Sequence, residues 1–274
     1  VYMDATNGWI PISDDDVTDA PYKGNPYGIF GFGYDGSSKV AISNLVSSTG
    51  VVASDTSGVG TARYLVAGAS YGGDKGIFGF GLDASAITGV SNLVSNSGVV
   101  ASDVTAVGSA RYAPSACEYG TDTAIFAYGY TTTYVSMSNL VSDAGVIASD
   151  VTGVGTDKKA LAACSYGGDK GIFCYGEGTG GSGGGTLNAR NLVSNLGVIA
   201  DDVTGAGTIR ADLAACEYGY DKGIFGFGNP AGTGYLGVTN LVTNVGVVGT
   251  DVAAVGTARR LIGACSYGYD KGIF

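Results

Sequence analysis

One aspartate recurs in every repeat of the sequence and is its most regular candidate for metal chemistry. The five members of this set are Asp55, Asp103, Asp150, Asp202 and Asp251. Carboxylate oxygens are ligands that Ca²⁺ prefers, so a ring of these side chains could hold the cation. Small residues follow each aspartate, however, as in a β-turn that an Asp opens by accepting a hydrogen bond from the backbone two residues on. No loop holds three acids at EF-hand spacing, so we favour the turn and expect no cofactor.

Tyrosines in a variable loop form the second set of candidates. The loop follows the Gly-Phe-Gly segment of each repeat, and across the repeats it holds Tyr34, Tyr130, Tyr134 and Tyr235. Aromatic rings that carry a hydroxyl suit sugars, and binding residues concentrate in variable loops on a rigid scaffold. We take these four tyrosines as candidate glycan-binding residues. The alternative is that the loop tips vary without selection.

Two other repeated sets are expected to stabilise the fold. The sequence Tyr-Gly-x-Asp-Lys, as at Tyr71 to Lys75, predicts a hairpin turn whose tyrosine packs on the next repeat, although a ring of such tyrosines could also stack on sugars. One cation also recurs per repeat: Arg63, Arg111, Lys158, Arg210 and Arg259. These cations could surround an anionic ligand. We favour a role in which each holds its connecting loop through an aspartate or a backbone carbonyl.

Composition excludes several classes of function. The 274 residues contain no His, so a Ser-His-Asp triad and a histidine metal site are both excluded. The formal net charge of −10 is a poor match for nucleic acid, whose phosphates need a basic surface. No run of about 18 apolar residues predicts a membrane span. We therefore expect neither nucleic acid nor membrane as a partner.

The elements that must position these residues come from an internal repeat. The segment Gly-Ile-Phe recurs from Gly28 to Gly272 at spacings of 48, 48, 47, 52 and 49 residues, with Ala124 replacing its glycine once. In the repeat from Arg63 to Val107, strands are expected at 63–70, 76–81, 89–94 and 99–102, separated by turn residues. Four short strands per repeat and no helical periodicity predict an all-β fold, a β-propeller of four-stranded blades. A solenoid is the alternative.

The two ends of the chain bear on the number of blades. We expect residues 1–27 to be an N-terminal segment or a linker, and residues 28–274 to form a propeller of about five repeats of 48 residues. The first repeat lacks an opening strand, which the C-terminal residues from Arg259 onward could supply, and this gives five blades with closed sheet edges. In the alternative, six blades form and residues 1–13, with Trp9, supply two strands.

Four of the five cysteines occupy one repeat position. Cys117, Cys164, Cys216 and Cys265 are equivalent, and Cys174 stands elsewhere in its repeat. Equivalent positions lie in neighbouring blades, so we expect free, buried thiols that pack as small apolar groups. A disulfide between Cys164 and Cys174 is the alternative.

The amino-acid sequence of the repeat resembles that of a known family. The order Arg-Tyr, a strand of small residues, Gly-Ile-Phe-Gly-Phe-Gly and a turn is similar to the kelch-like β-propeller repeat over residues 28–274. It departs from that repeat in lacking the double glycine and the tryptophan of the fourth strand. The wording also resembles virion-associated proteins of marine bacteriophages, as does the opening segment from Val1 to Trp9. The resemblance implies a place on a virion or extracellular surface, in a tail, fibre or capsid.

These observations together predict a non-enzymatic protein, structural or adhesive, that binds host-surface glycans weakly through repeated loops. The alternative is an architectural module that binds only other virion or assembly proteins. An oxidase-like or sialidase-like enzyme is not expected. The copper site of such an oxidase needs His, and the Asp boxes of sialidases end in Trp, whereas Trp9 lies outside the repeats.

Overall fold

A computed structural model describes residues 2–4, 8–9, 25–105, 107–181, 185–230, 234–254 and 256–274. Strands account for 44% of the structure and helix for 0%. The strands pair antiparallel in many small sheets. The all-β prediction is therefore confirmed.

The strands are short and follow one another at regular intervals. In chain order they are β1 (Tyr2–Asp4), β2 (Gly8–Trp9), β3 (Gly28–Tyr34), β4 (Lys39–Val46), β5 (Ala67–Tyr71), β6 (Lys75–Gly79), β7 (Ser91–Val94), β8 (Ser115–Tyr119), β9 (Thr123–Ala127), β10 (Ser138–Val141), β11 (Lys158–Lys159), β12 (Ala162–Tyr166), β13 (Lys170–Cys174), β14 (Glu177–Gly181), β15 (Ala189–Val193), β16 (Val203–Thr204), β17 (Arg210–Ala211), β18 (Ala214–Tyr218), β19 (Lys222–Gly226), β20 (Asn229–Pro230), β21 (Thr239–Val242), β22 (Cys265–Tyr267) and β23 (Lys271–Ile273).

Six sheets carry the repeat, and we call them units 1 to 6. They are β3-β4, β5-β6-β7, β8-β9-β10, β12-β13-β15-β16, β18-β19-β21 and β22-β23. The first strand of each of units 2 to 6 is called its inner strand: β5, β8, β12, β18 and β22. The predicted hairpin forms between β5 and β6, with Tyr71 opposite Lys75. Gly72 and Gly73 allow this turn because their φ angles are +60° and +78°, where a side chain is strained.

The second strand of each of units 2 to 5 ends earlier than its apolar sequence predicts. β6 stops at Gly79, because the next residue, Phe80, has a φ of +62°. The equivalent aromatic residues, Phe32, Tyr128, Tyr175 and Phe227, have φ angles of 63° to 67°. In units 2 to 5 this left-handed backbone ends the ladder and turns an aromatic ring out of the strand. In unit 1 the ladder of β3 continues to Tyr34 after a shift of register at Phe32.

The predicted fourth strand at 99–102 is wrong as a continuous strand. In unit 2 it is reduced to isolated bridges, Val94 with Val100 and Ser91 with Val104. The amide of Asn92 donates to the carbonyl of Ala101 at 2.9 Å, in the place of a backbone ladder bond. Among the described residues, a named fourth strand is present in unit 4, as the two-residue β16. A buried asparagine side chain thus replaces part of the outer ladder.

Successive units contact one another through the same groups. Phe80 of unit 2 packs against Phe126 of unit 3 with ring centroids 5.3 Å apart, and Tyr128 packs against Phe173 of unit 4 in the same way. Backbone bonds also join neighbours, as when Ala113 N–H donates to Leu65 at 2.9 Å. The sixth unit contacts the first, since Gly268 N–H donates to the carbonyl of Pro26 at 2.7 Å.

The ends of the chain were predicted to share one sheet. The ladder described for β22 is with β23, in the register Cys265↔Ile273, and β22 also contacts β3, where Gly28 lies close to Cys265. The expected pairing of β22 with β3 is not among the described ladders. At the N-terminus, β1 and β2 form a hairpin in which Tyr2 pairs with Trp9. Residues 1, 5–7 and 10–24 of the predicted segment 1–27 lie outside the described residues.

The cysteines are free thiols, as predicted. Cys164 faces Ile172 across the hairpin and Cys174 faces Ala162, so the alternative disulfide is wrong. Cys117, Cys164, Cys174 and Cys216 are at most 5% exposed. A side chain at Gly171 would lie 2.5 Å from the Cys117 sulfur, so the glycine lets a thiol of one unit pack on the next.

Candidate functional site

The repeated aspartates are occupied by hydrogen bonds within the protein. Asp103 accepts from Thr61 N–H at 3.0 Å, from the Thr61 hydroxyl at 2.6 Å and from Asn92 at 2.9 Å. Burial alone would raise its pKa, but these hydrogen bonds outweigh burial and lower the pKa. The partner is therefore a distant threonine, and not the backbone two residues on that the turn prediction required. The same pattern holds for Asp150, Asp202 and Asp251 with Ser109, Thr156 and Thr208.

The fifth aspartate of this set, Asp55, accepts from Asn44 at 2.8 Å. The Asp-turn that was predicted for the repeated set forms instead in the variable loops. There Asp35 accepts from Ser37 and Ser38 N–H, and Asp83 accepts from Ser85 and Ala86 N–H. No group of three or more metal-ligating side chains occurs within the described residues.

The repeated cations lie inside the units and hold connecting segments, as predicted. Arg63 is fully buried, and its guanidinium donates to the carbonyls of Phe80 and Thr61 and to the Asn92 side chain. It also stacks on the turned-out ring of Phe32 in unit 1, 4.0 Å from the centroid. Arg111, Arg210 and Arg259 stack on Phe80, Tyr175 and Phe227 at 3.9–4.0 Å. A buried cation thus seals the contacts made by Arg63, Arg111 and Arg210, whereas Arg259 is half-buried.

The tyrosines of the hairpin turns also have a packing role. Tyr71, Tyr119 and Tyr166 are 3%, 7% and 3% exposed. The Tyr71 ring lies against the outer hairpin of unit 3, where a side chain at Gly145 would come within 2.9 Å of it. The predicted packing on the neighbouring repeat is confirmed for these tyrosines.

Short backbone pairings bring two of the candidate glycan-binding tyrosines together. Tyr130 exchanges backbone hydrogen bonds with Tyr112 at 3.0 Å, and it also forms a bridge with Tyr134 across the loop. In unit 4, β11 pairs with β14 so that Lys159 stands opposite Glu177. These three pairings fix the backbones of five residues, which we call the tyrosine cluster: Tyr112, Tyr130, Tyr134, Lys159 and Glu177.

The side chains of the tyrosine cluster surround one ammonium group. The Lys159 Nζ lies 4.8 Å from the Tyr130 ring centroid, 5.4 Å from that of Tyr112 and 5.5 Å from that of Tyr134. The Tyr130 and Tyr134 rings meet edge to face, 5.3 Å apart at 88°. An ammonium over aromatic faces is attracted by their negative potential. Lys159 therefore joins unit 4 to the variable loop of unit 3.

A carboxylate completes the tyrosine cluster. The Tyr134 hydroxyl donates to Glu177 Oε1, and Lys159 Nζ lies 3.9 Å from the same oxygen. The hydrogen bond to Glu177, helped by burial, raises the pKa of Tyr134 to about 12. Glu177 remains 34% exposed and Lys159 20%. Solvent thus reaches a neutral pair of opposite charges beside aromatic rings.

The other two predicted tyrosines lie apart from the tyrosine cluster. Tyr34 is 56% exposed and packs 5.9 Å from Tyr64 of unit 2. Tyr235 is 53% exposed, with the Arg260 guanidinium 5.4 Å from its ring. The four predicted tyrosines therefore lie at three separate positions on the surface. Only Tyr130 and Tyr134 share one of them, together with the other members of the tyrosine cluster.

Sequence reasoning missed three members of the tyrosine cluster. Tyr112 and Lys159 occupy the position after the repeated cation, and Glu177 begins the longest variable loop. At the position after the cation, the repeats carry Tyr64, Tyr112, Lys159, Ala211 and Arg260. This variation next to a fixed residue was the signal that could have identified them.

No family model matches the sequence, and no curated protein is similar to it. No helix in the described part of the chain has the length and apolar character needed to cross a membrane.

Proposed function

We propose that this protein is a non-enzymatic β-propeller, structural or adhesive, whose tyrosine cluster binds a host-surface glycan. The observation that carries the proposal is the cluster itself. Tyr130 and Tyr134 supply ring faces, and Glu177 and Lys159 supply an acceptor and a donor beside them. Apolar sugar faces stack on aromatic rings, and sugar hydroxyls need donors and acceptors at the rim of such a platform.

The scaffold supports this division of roles. The repeated Asp, Asn and Arg side chains bond to one another and to backbone groups inside the units. The varied residues lie in loops, where binding groups concentrate. A neutral Lys–Glu pair on a chain of net charge −10 favours an uncharged sugar over an acidic one.

The propeller architecture is part of the proposal. Its support is the order of contacts: each unit meets the next, and unit 6 meets unit 1 through Gly268 and Pro26. The ladder of β22 with β23 favours six units over the five that the sequence predicted, because five blades need β22 to pair with β3. The setting on a virion or extracellular surface rests on the sequence resemblance alone.

An architectural role is the second candidate, and one observation favours it. The outer hairpins of units 1 to 5 each expose a valine at the same position: Val51, Val99, Val146, Val198 and Val247 are 66%, 63%, 63%, 64% and 49% exposed. Apolar groups that repeat on a surface mark contacts with other proteins. Such a protein would bind neighbouring virion or assembly proteins through this rim.

A glycan and bacterial-polysaccharide array decides between the two candidates. The full chain, a Tyr130→Ala/Tyr134→Ala variant and a Tyr220→Ala control are applied, each with Ca²⁺ and with chelator. Tyr220 is 54% exposed in a hairpin turn away from the tyrosine cluster. Glycan binding should be retained by the control and lost in the double variant. No binding by the full chain contradicts the glycan proposal and supports the architectural one.

A further inference from the structure

One edge of β3 faces a cavity of about 890 Å³. β4 pairs with β3 from Gly28↔Val46 to Tyr34↔Lys39, and Gly28 to Gly31 line the cavity. Within the residues that the structure describes, no strand pairs with the other edge of β3. The equivalent strands β6, β9, β13 and β19 are paired on both edges. Backbone groups along an unpaired edge are a template for a further strand.

Residues that line the cavity are more exposed than several of their equivalents in other units. Ile29 of β3 is half-buried, as is Ile224 of β19, whereas the equivalent Ile77, Ile125 and Ile172 are at most 1% exposed. Gly68 of the inner strand β5 is exposed, whereas the equivalent Ala116 of β8 is 7% exposed. The surfaces that an inner strand covers in other units therefore line this cavity.

The cavity also has a place for an aromatic ring. In units 3, 4 and 5 the outer hairpin packs on the inner-strand tyrosine of the preceding unit, so that side chains at Gly145, Gly197 and Gly246 would lie 2.7–2.9 Å from Tyr71, Tyr119 and Tyr166. In unit 2 the equivalent Gly98 meets Leu45 of unit 1 and no tyrosine. Both Gly98 and Leu45 line the cavity.

We propose that this cavity binds an extended segment of a partner protein, which adds to β3 as an inner strand. The chemistry of the segment follows from the inner strands that fill the other units. They read Ala-Gly-Ala-Ser-Tyr in β5, Ser-Ala-Cys-Glu-Tyr in β8 and Ala-Ala-Cys-Ser-Tyr in β12. The partner segment thus carries small residues followed by a tyrosine. Main-chain bonds to an edge strand supply affinity, and the fit of alternate side chains supplies specificity.

This site is distinct from the tyrosine cluster and does not depend on the glycan proposal. It opens to solvent beside Tyr27, which is 56% exposed, and beside Ser70, which is exposed. A partner segment therefore reaches it without displacing a described strand.

The test uses the full chain and a fluorescent peptide. The peptide has the sequence of residues 213–219 with Cys216→Ala, and fluorescence anisotropy measures its binding. We expect saturable binding that weakens at least tenfold when the peptide carries Tyr218→Ala. A peptide methylated on alternate backbone nitrogens should not bind, because strand addition needs those donors. Equal binding of all three peptides, or none, overturns the proposal.

A substitution in the protein locates the bound peptide. Ser165 and Ser266 are the equivalents of Ser70 in units 4 and 6. Their hydroxyls donate to carbonyls of the inner strand of the preceding unit, at 3.2 and 2.9 Å. A Ser70→Trp side chain should therefore enter the cavity and weaken binding at least tenfold. The matched Ser102→Trp, at an exposed outer turn, should bind like the wild type. Unchanged affinity in a folded Ser70→Trp overturns the proposed location, and the peptide variants test strand addition if that protein does not fold. If residues 10–24 of the same chain or a second copy of the chain fill the cavity, the peptide should not bind. That result also overturns the proposal.

Discussion

Asp103 accepts two hydrogen bonds from Thr61, a residue 42 positions earlier in the chain, at 3.0 Å from its N–H and 2.6 Å from its hydroxyl. Asn92 joins them by donating to Asp103 at 2.9 Å and accepting from the buried Arg63 at 2.7 Å. The repeated Asp and Asn, with an Arg or, in unit 4, Lys158, therefore form one network in units 2 to 5, which holds the segment entering the unit to its outer turn. This shared geometry accounts for their recurrence in the sequence.

Removing the carboxylate of Asp103 should destabilise the fold. Asp103→Ala leaves Asn92, Thr61 and the fully buried Arg63 without their acceptor or countercharge. Loss of a partner for buried polar groups costs about 2 to 4 kcal/mol of unfolding free energy. Urea denaturation measures this change. Asp143→Ala, at an exposed hairpin, is the control and should stay within about 0.5 kcal/mol of wild type. Equal stability of the two variants would refute the network.

A chelator should leave the melting temperature unchanged. The oxygens of Asp150, Asp202 and Asp251 accept hydrogen bonds from hydroxyl and amide groups in their own units. Calcium would have to displace these donors to reach the carboxylates. Calorimetric scans with Ca²⁺ and with chelator check the prediction, and a lower melting temperature in chelator would restore the aspartates as a metal site.

Lys158 of unit 4 should make the stability of the protein depend on pH, and replacing it with arginine should reduce this dependence. Lys158 is fully buried, and burial lowers its pKa from 10.5 to about 8. Between these values the unfolded chain binds the proton that the folded chain has lost, so stability rises as pH increases from about 8 to 10.5. The rise amounts to roughly 3 kcal/mol.

The matched variant for this effect is Lys158→Arg, since Arg63 and Arg111 occupy the equivalent position in other units. Burial lowers the pKa of the equivalent Arg63 and Arg111 to about 10, so an arginine keeps its charge over most of the range in which Lys158 loses its proton. Urea denaturation at pH 7.5 and pH 10 should show a smaller rise, or none, in Lys158→Arg. Parallel pH profiles of variant and wild type would mean that Lys158 does not titrate in this range.

The thiols should resist labelling in the native protein. Burial raises the pKa of Cys117, Cys174 and Cys216 to about 12, so almost no reactive thiolate is present near neutral pH. A maleimide reagent followed by mass spectrometry should label these sites only after denaturation. The half-buried Cys265 should react first. Rapid native labelling of four thiols would contradict the inner-strand packing.

The all-β fold could be predicted well because glycine and aspartate mark the turns between the strands of each repeat. The hairpin from Tyr71 to Lys75 and the strands around it lie within a few residues of their expected positions. The fourth strand failed because the Asn92 side chain bonds the carbonyl of Ala101, an interaction that β-propensity does not express. The early end of β6 failed for a similar reason, because the left-handed backbone of Phe80 is favoured by stacking with Arg111 of the next unit.

The candidate site could be predicted in part. Tyr130 and Tyr134 were identified because they lie in one loop, and loop position is visible in a sequence. Lys159 and Glu177 belong to the next unit and meet those rings only because the pairing of β11 with β14 brings them to the contact between units. Contacts between units depend on how the sheets are arranged, which a repeat period alone does not express.

The central claim is that binding lies in the tyrosine cluster and stability in the repeated polar network. One measurement tests both halves: calorimetric titration of the array's tightest glycan, with melting temperatures, for Tyr130→Ala and for Asp103→Ala. We expect Tyr130→Ala to lose about tenfold or more in affinity at an unchanged melting temperature, because it removes a stacking face. Asp103→Ala should melt lower and, while folded, bind as tightly as wild type. Retained affinity in Tyr130→Ala, or lost affinity in folded Asp103→Ala, would contradict this account.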